Sequence, residues 1–169
     1  MLQGNASRLR KVLRVVGAAG LTCVAVRPAA PALAPLGVCE VLRDLASLAG
    51  KDIPVLGRYS YRENGRWMSE QTCDPAAPAP PELWLLESSA NGPMPPRDYE
   101  IDAVVLKRKR IEMERHTSLG KFRFGTPDYD RWAIVYGRIE PRKGDDAKIA
   151  PANLVFRGSG AVLILPGEP

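Results

Sequence analysis

The sequence predicts a mainly β domain with helices. It reads as a small five-stranded barrel with a capping helix ahead of strand one and another helix between strands three and four. Three observations predict it. Ile53–Cys73 holds two β-rich runs, Val55–Tyr61 and Trp67–Thr72, on either side of Asn64-Gly65, the dipeptide suited to two consecutive positive φ values in a type I′ turn. Just ahead, the apolar residues of Val38–Ala49 recur in steps of three and four. Beyond the hairpin come three more strand-like stretches and one long helix-like stretch. A lone hairpin is marginal in water, so these neighbours must cover its apolar face.

In the first element, Val38, Val41, Leu42, Leu45, Leu48 and Ala49 share one helical face, and Glu40, Arg43, Asp44 and Ser47 take the other. Gly50 is placed to end the helix in a left-handed conformation, and Cys39 falls in its first turn. Pro54 lacks a donor, which suits a strand start or an edge. Asp74–Pro81 is too rich in proline for helix or central strand and reads as an extended surface loop. Leu83–Leu86, short and apolar, is the third strand. In Asp98–His116 acids crowd the start and bases the end, which complements a helix dipole, and Ile101, Val104, Val105, Arg108 and Ile111 or Glu112 would share a face. Gly120–Asp130 reads as irregular. In Arg131–Glu140, Trp132, Ile134 and Tyr136 alternate with Ala133, Val135 and Ile139, and Gly137 suggests a bulge or a tight barrel corner. Pro141–Ala150 is a charged loop. Asn153–Phe156 and Ala161–Leu165 close the chain, broken at Gly158-Ser159-Gly160.

The net charge of +5 suggests an acidic partner until its location is considered. Arg8, Arg10, Lys11, Arg14 and Arg27 precede Pro35, and no acid does; removing those five from the 24 basic residues leaves 19 against 19 acidic. A neutral domain has no long-range field to gather nucleic acid. The basic segment has the layout of a signal peptide: a charged start to Arg14, an uncharged apolar run from Val15 to Val26, then small residues from Pro28 to Ala34. The run falls short of the roughly 20 residues a membrane span needs. Ala30-Pro31-Ala32 and Ala32-Leu33-Ala34 both fit a cleavage motif, and Pro35 after the second favours the first. Gly20-Leu21-Thr22-Cys23 is a poor lipoprotein site, its leucine one place too late. The expected division is a leader over residues 1–34 and one domain over 35–169, periplasmic or secreted. Losing the leader removes Cys23 and leaves Cys39 and Cys73, an even pair that reads as a disulfide in an exported domain.

Strand, hairpin strand, strand, helix, strand, strand is the element order of the OB-fold. The chain also resembles a group of small exported bacterial proteins. The likeness rests on Cys39-Glu40-Val41-Leu42, on Gly50-Lys51-Asp52-Ile53-Pro54-Val55-Leu56-Gly57, on Cys73 and on Ile134-Val135-Tyr136-Gly137-Arg138-Ile139. It covers about two thirds of the chain. It implies the OB-like barrel and export, and it implies no activity.

Signals for chemistry are sparse. A metal site needs several convergent ligands, whereas His116 is the one histidine and the cysteines are expected to pair. Gly158-Ser159-Gly160 only resembles part of a nucleophile elbow, and no phosphate-binding or dinucleotide fingerprint occurs. No catalytic, cofactor-binding or metal residue is expected, and no cofactor. Tyr59, Tyr61, Arg66 and Trp67 mix aromatic and basic character around the hairpin and form the candidate ligand surface. Stacking with phosphate contact is how OB-folds hold single strands, but neutrality, export and the nearby Glu63 and Glu70 disfavour nucleic acid. Lys107-Arg108-Lys109-Arg110 suits anionic lipid or phosphate, or a solvated helix end balanced by Glu112 and Glu114; the second is favoured. The expected function is a non-enzymatic exported module of the envelope or secretome that binds a small ligand, a glycan or a protein. The alternatives are a hydrolase assembled from dispersed acids such as Asp98, Glu100 and Asp128, and a nucleic-acid-binding OB-fold.

Overall fold

The computed structural model describes residues 32–62, 65–97, 100–120 and 129–166. The amphipathic stretch expected as one helix forms two pieces, α1 (Val38–Arg43) and α2 (Leu45–Leu48), broken at Asp44, whose φ of −102° and ψ of 22° leave helical values. Its apolar spacing holds as far as Leu48, with Val38, Val41 and Leu42 buried and Leu45 and Leu48 packed partly buried against the core, whereas Ala49 is exposed. Gly50 ends the segment with φ +76°, and its N–H donates to the Ile139 carbonyl at 2.7 Å.

The strands are β1 (Leu36–Gly37), β2 (Asp52–Arg62), β3 (Gly65–Ser69), β4 (Glu82–Glu87), β5 (Tyr129–Pro141), β6 (Ala152–Phe156) and β7 (Val162–Ile164). The order β2-β3-β4-β6-β5 returns to β2 through the β2–β5 pairing, so five strands close a barrel, with β1 and β7 as additions at its edges. Within the barrel β4 and β6 pair parallel and the other neighbours pair antiparallel. β5 occupies one edge of β2 from Asp52 to Tyr61, which leaves the other edge to β1 and then β3. β5 divides its free edge in the same way: Ala133–Val135 pair with β7 and Arg138–Pro141 with β6. The change falls at Gly137, where a Cβ would sit 2.7 Å from the Val155 carbonyl oxygen and 2.8 Å from Leu154 Cδ1. That close approach is the tight corner expected there.

Alternation sorts the strand residues between two cores. Val55, Met68, Leu83, Leu85, Val135, Leu154 and Phe156 fill the barrel, where Val38, Val41 and Leu42 of α1 join them. Gly57 makes room for this helix, since a Cβ there would lie 2.9 Å from Val38 Cγ2. Each such aliphatic side chain contributes about 1.5–3 kcal/mol by leaving water. On the outer face Leu56, Trp132 and Ile134 pack beneath Met113, with Ile101, Leu106 and Leu119 around them. Ile101 and Leu119 flank α3 (Ala103–Glu114), which runs between the third and fourth barrel strands. Asp102 caps α3, its carboxylate accepting from the Val104 and Val105 N–H groups at 2.9 Å. Cys39 and Cys73 lie at disulfide distance, with Sγ atoms 2.01 Å and Cα atoms 5.3 Å apart, and so tie α1 to the segment leaving the hairpin. Among the described residues no helix is long and apolar enough to cross a membrane.

Four local expectations change. The two-residue β1 has too little pattern to be foreseen. α4 (Asp146–Ile149) is a single turn inside the charged Pro141–Ala150 loop. Asn64 of the expected type I′ turn lies outside the described residues, but Gly65 opens β3 paired with Arg62 at φ +135°, so it holds a strand position rather than the central turn position expected of it. The face assigned to α3 is rotated. Leu106 and Met113 pack inward, whereas Val104 is 79% and Ile111 45% exposed.

Candidate functional site

α1 and α2 sit beside the first half of β2 and the end of β5, which leaves the opposite end of the barrel to be lined by strand ends. There Tyr59 and Tyr61 of β2, Arg66 of β3, Glu87 of β4, Phe156 of β6 and Val162 and Ile164 of β7 surround an open depression of about 620 Å³. The pairings explain why these residues meet. Tyr61 pairs with Arg66 across the hairpin and Glu87 with Phe156 across the parallel ladder, so all four side chains point to the inner face.

Arg66 is the centre of this mouth. Its Cζ lies 5.9 Å from the Tyr61 ring centroid and 5.7 Å from that of Phe156, within the range of a cation–π contact. Nη2 donates to Glu87 Oε2 at 2.9 Å. Burial lowers the guanidinium's pKa, but the hydrogen bonds to Glu87 and Tyr59 outweigh it and hold the group above the usual arginine value. Both partners of the ion pair stay about one-third exposed or more, at 34% and 44%. Such a pair contributes about 0–1 kcal/mol, so an entering ligand can take over its hydrogen bonds at little cost.

Three of the four residues of the expected ligand surface therefore line one site. Trp67 does not. As the strand neighbour of Arg66 it points to the outer face, where it stacks on Trp84 with centroids 6.2 Å apart, and Arg142 Cζ lies 5.8 Å from the Trp84 ring. Glu87 and Phe156 were not foreseen, because each comes from a strand remote in sequence and neither carries a motif.

A second concavity, about 280 Å³, lies beside the disulfide and is lined by Cys39, Glu40, Glu70, Cys73, Lys109 and His116 among others. Glu70 is 5% exposed; Oε1 accepts from Cys39 N–H at 2.9 Å and Oε2 lies 3.1 Å from His116 Nε2. Gly37 permits this approach, since a Cβ there would lie 2.8 Å from Glu70 Oε1. Glu40 accepts from Gly37 N–H at 2.7 Å and from Lys109 Nζ. Burial raises the Glu40 carboxyl's pKa, but Lys109 and Gly37 outweigh it and leave the group below its usual range.

Of the dispersed acids, Glu100 is exposed beside Ile101 and Leu163, and Asp98 and Asp128 lie outside the described residues. Among the described residues no group of three or more His, Cys, Asp or Glu is arranged to hold a metal ion. No protein-family model, curated protein or solved structure matches this chain.

Proposed function

We propose that the chain is an exported, non-enzymatic binding module that takes a small hydroxyl-rich ligand of the glycan class at the barrel mouth. The observation that carries this reading is the Arg66–Glu87 pair held against Tyr61 and Phe156 at an open barrel end. The pair offers donors and an acceptor with no net charge, which suits hydroxyl groups better than an anion. The ring faces suit the C–H side of a sugar. An OB-like assignment draws support from the strand order, the parallel third and fifth barrel strands and the helix between the third and fourth.

Export draws support from the Cys39–Cys73 pairing, and the backbone bonds of Leu33 bear on where a leader would be cut. Leu33 N–H donates to the Glu100 carbonyl at 2.7 Å, and its own carbonyl accepts from Asp102 N–H at 3.1 Å. Cleavage after Ala32 keeps both bonds, whereas cleavage after Ala34 removes them. The mature chain is therefore expected to begin at Leu33.

Calorimetric titration with a panel of oligosaccharides tests the site. At least one should bind wild type, and Arg66→Ala with Tyr61→Ala should lose that binding while melting normally. Retained affinity in the double variant would refute the site. A second reading, a hydrolytic enzyme, is favoured by one arrangement: buried Glu70 orients His116, whose ring is partly exposed in the smaller concavity. Hydrolysis abolished by His116→Ala would support it against the binding module.

A further inference from the structure

The outward face of α3 is chemically unlike the rest of the domain's surface. Val104 and Ile111 project into solvent from positions seven apart, two turns along one face, about 10 Å at the helical rise. Exposed Lys107, Arg108 and Arg115 surround them, and Glu112 is the acid among them. The other two cations of the helix are committed elsewhere. Lys109 pairs with Glu40, and Arg110 pairs with Glu114 and donates to the Pro166 carbonyl. Lys107, Arg108 and Arg115 have no acidic partner among the described residues. The chain beyond the leader is formally neutral, so this is a local positive patch with two aliphatic studs rather than part of a general field.

We propose that this face of α3 docks the protein on an anionic lipid bilayer. The three cations would contact headgroup phosphates, and Val104 and Ile111 would enter the headgroup–acyl boundary. Charge decides among the occupants. A second copy docked face to face by two-fold symmetry would set this positive patch against itself. Nucleic acid would match the charge, but it offers nothing to an exposed valine and isoleucine that lack an aromatic companion. A bilayer matches both. The helix is too short and too charged to insert, so the contact is peripheral, reversible and sensitive to salt.

Co-sedimentation with vesicles tests this, using the chain as its host produces it, so that any leader present is common to wild type and variants. Wild type should bind vesicles of phosphatidylcholine containing about one-quarter phosphatidylglycerol, and bind pure phosphatidylcholine about tenfold less. Lys107→Glu with Arg108→Glu should lose most of the difference, and Val104→Ser with Ile111→Ser should lose several-fold. All four positions are exposed, so melting temperatures should stay within a few degrees. A readout at α3 itself comes from Val104→Trp, whose added fluorescence should be quenched by brominated phosphatidylglycerol. The proposal fails if the charge-reversed variant binds as wild type does or if bromolipid leaves that introduced indole unquenched. It also fails if the same face drives self-association, or binds duplex DNA with affinity indifferent to Ile111→Ser.

Discussion

Removing the Cys39–Cys73 bridge by Cys39→Ala with Cys73→Ala should lower stability by about 4 kcal/mol and leave the fold in place. The bridge closes a loop with a sequence separation of 34. In the chain-entropy treatment, a loop of that length removes about 13 cal/mol/K from the unfolded ensemble, or about 4 kcal/mol at 25 °C. The native side changes little, because α1 is also held by the buried Val38, Val41 and Leu42 and by the Cys39 N–H to Glu70 bond. The cost therefore falls on the unfolded state, with a drop in midpoint temperature of roughly 10–15 °C. Urea unfolding followed by tryptophan fluorescence measures it, since Trp132 is buried and Trp84 partly so. The cross-linked protein should also show the smaller m value, because its unfolded chain stays more compact. A loss below about 1 kcal/mol would refute the reasoning. A loss of native circular dichroism would show instead that the bridge builds the fold rather than staples it.

Three further outcomes follow from particular contacts. Gly65→Val should cost about 2–5 kcal/mol, because Gly65 has φ +135° and a Cβ there would sit 2.5 Å from Trp84 Cη2. A melting temperature within a degree of wild type would contradict both reasons. Asp130→Ala should cost about 3 kcal/mol or more, since the carboxylate accepts from the buried Ser60 hydroxyl and from Gly120 N–H and lies 3.6 Å from Arg58 Nε. Chemical denaturation reads that loss. Glu40 has a folded pKa below its unfolded value of about 4.5, so its contribution is present above that value and fades as pH falls through the depressed one. Glu40→Gln should therefore lower stability at neutral pH and converge on wild type in acid, as thermal melts across pH 2–7 would show.

Much of the barrel was legible because its signals are local. The three-four spacing from Val38 to Leu42, the alternation through Trp132–Val135 and the lone Gly137 each mark a face or a corner that the fold uses. Within the candidate site, Tyr59 and Tyr61 share a face by the period of two, and the same period requires Trp67 to turn away from Arg66. The other half of the site was not legible, since Glu87 and Phe156 reach Arg66 through strand pairings of long sequence separation. The rotation of α3 was hidden for a different reason. Lys109 and Arg110 turn partly inward and find partners in Glu40 and Glu114, so two charged residues occupy the side a hydrophobic pattern would reserve for Val104 and Ile111. Glu70 and His116, 46 residues apart, likewise meet only through the packing of α3 on the barrel.

Amide chemical-shift mapping of the isotope-labelled protein during an oligosaccharide titration tests the barrel-mouth site most directly. Perturbations should centre on Tyr59, Tyr61, Arg66, Glu87 and Phe156 and saturate together. Shifts confined to the Glu70–His116 concavity or to the Trp67–Trp84 face, with the barrel mouth silent, would contradict it.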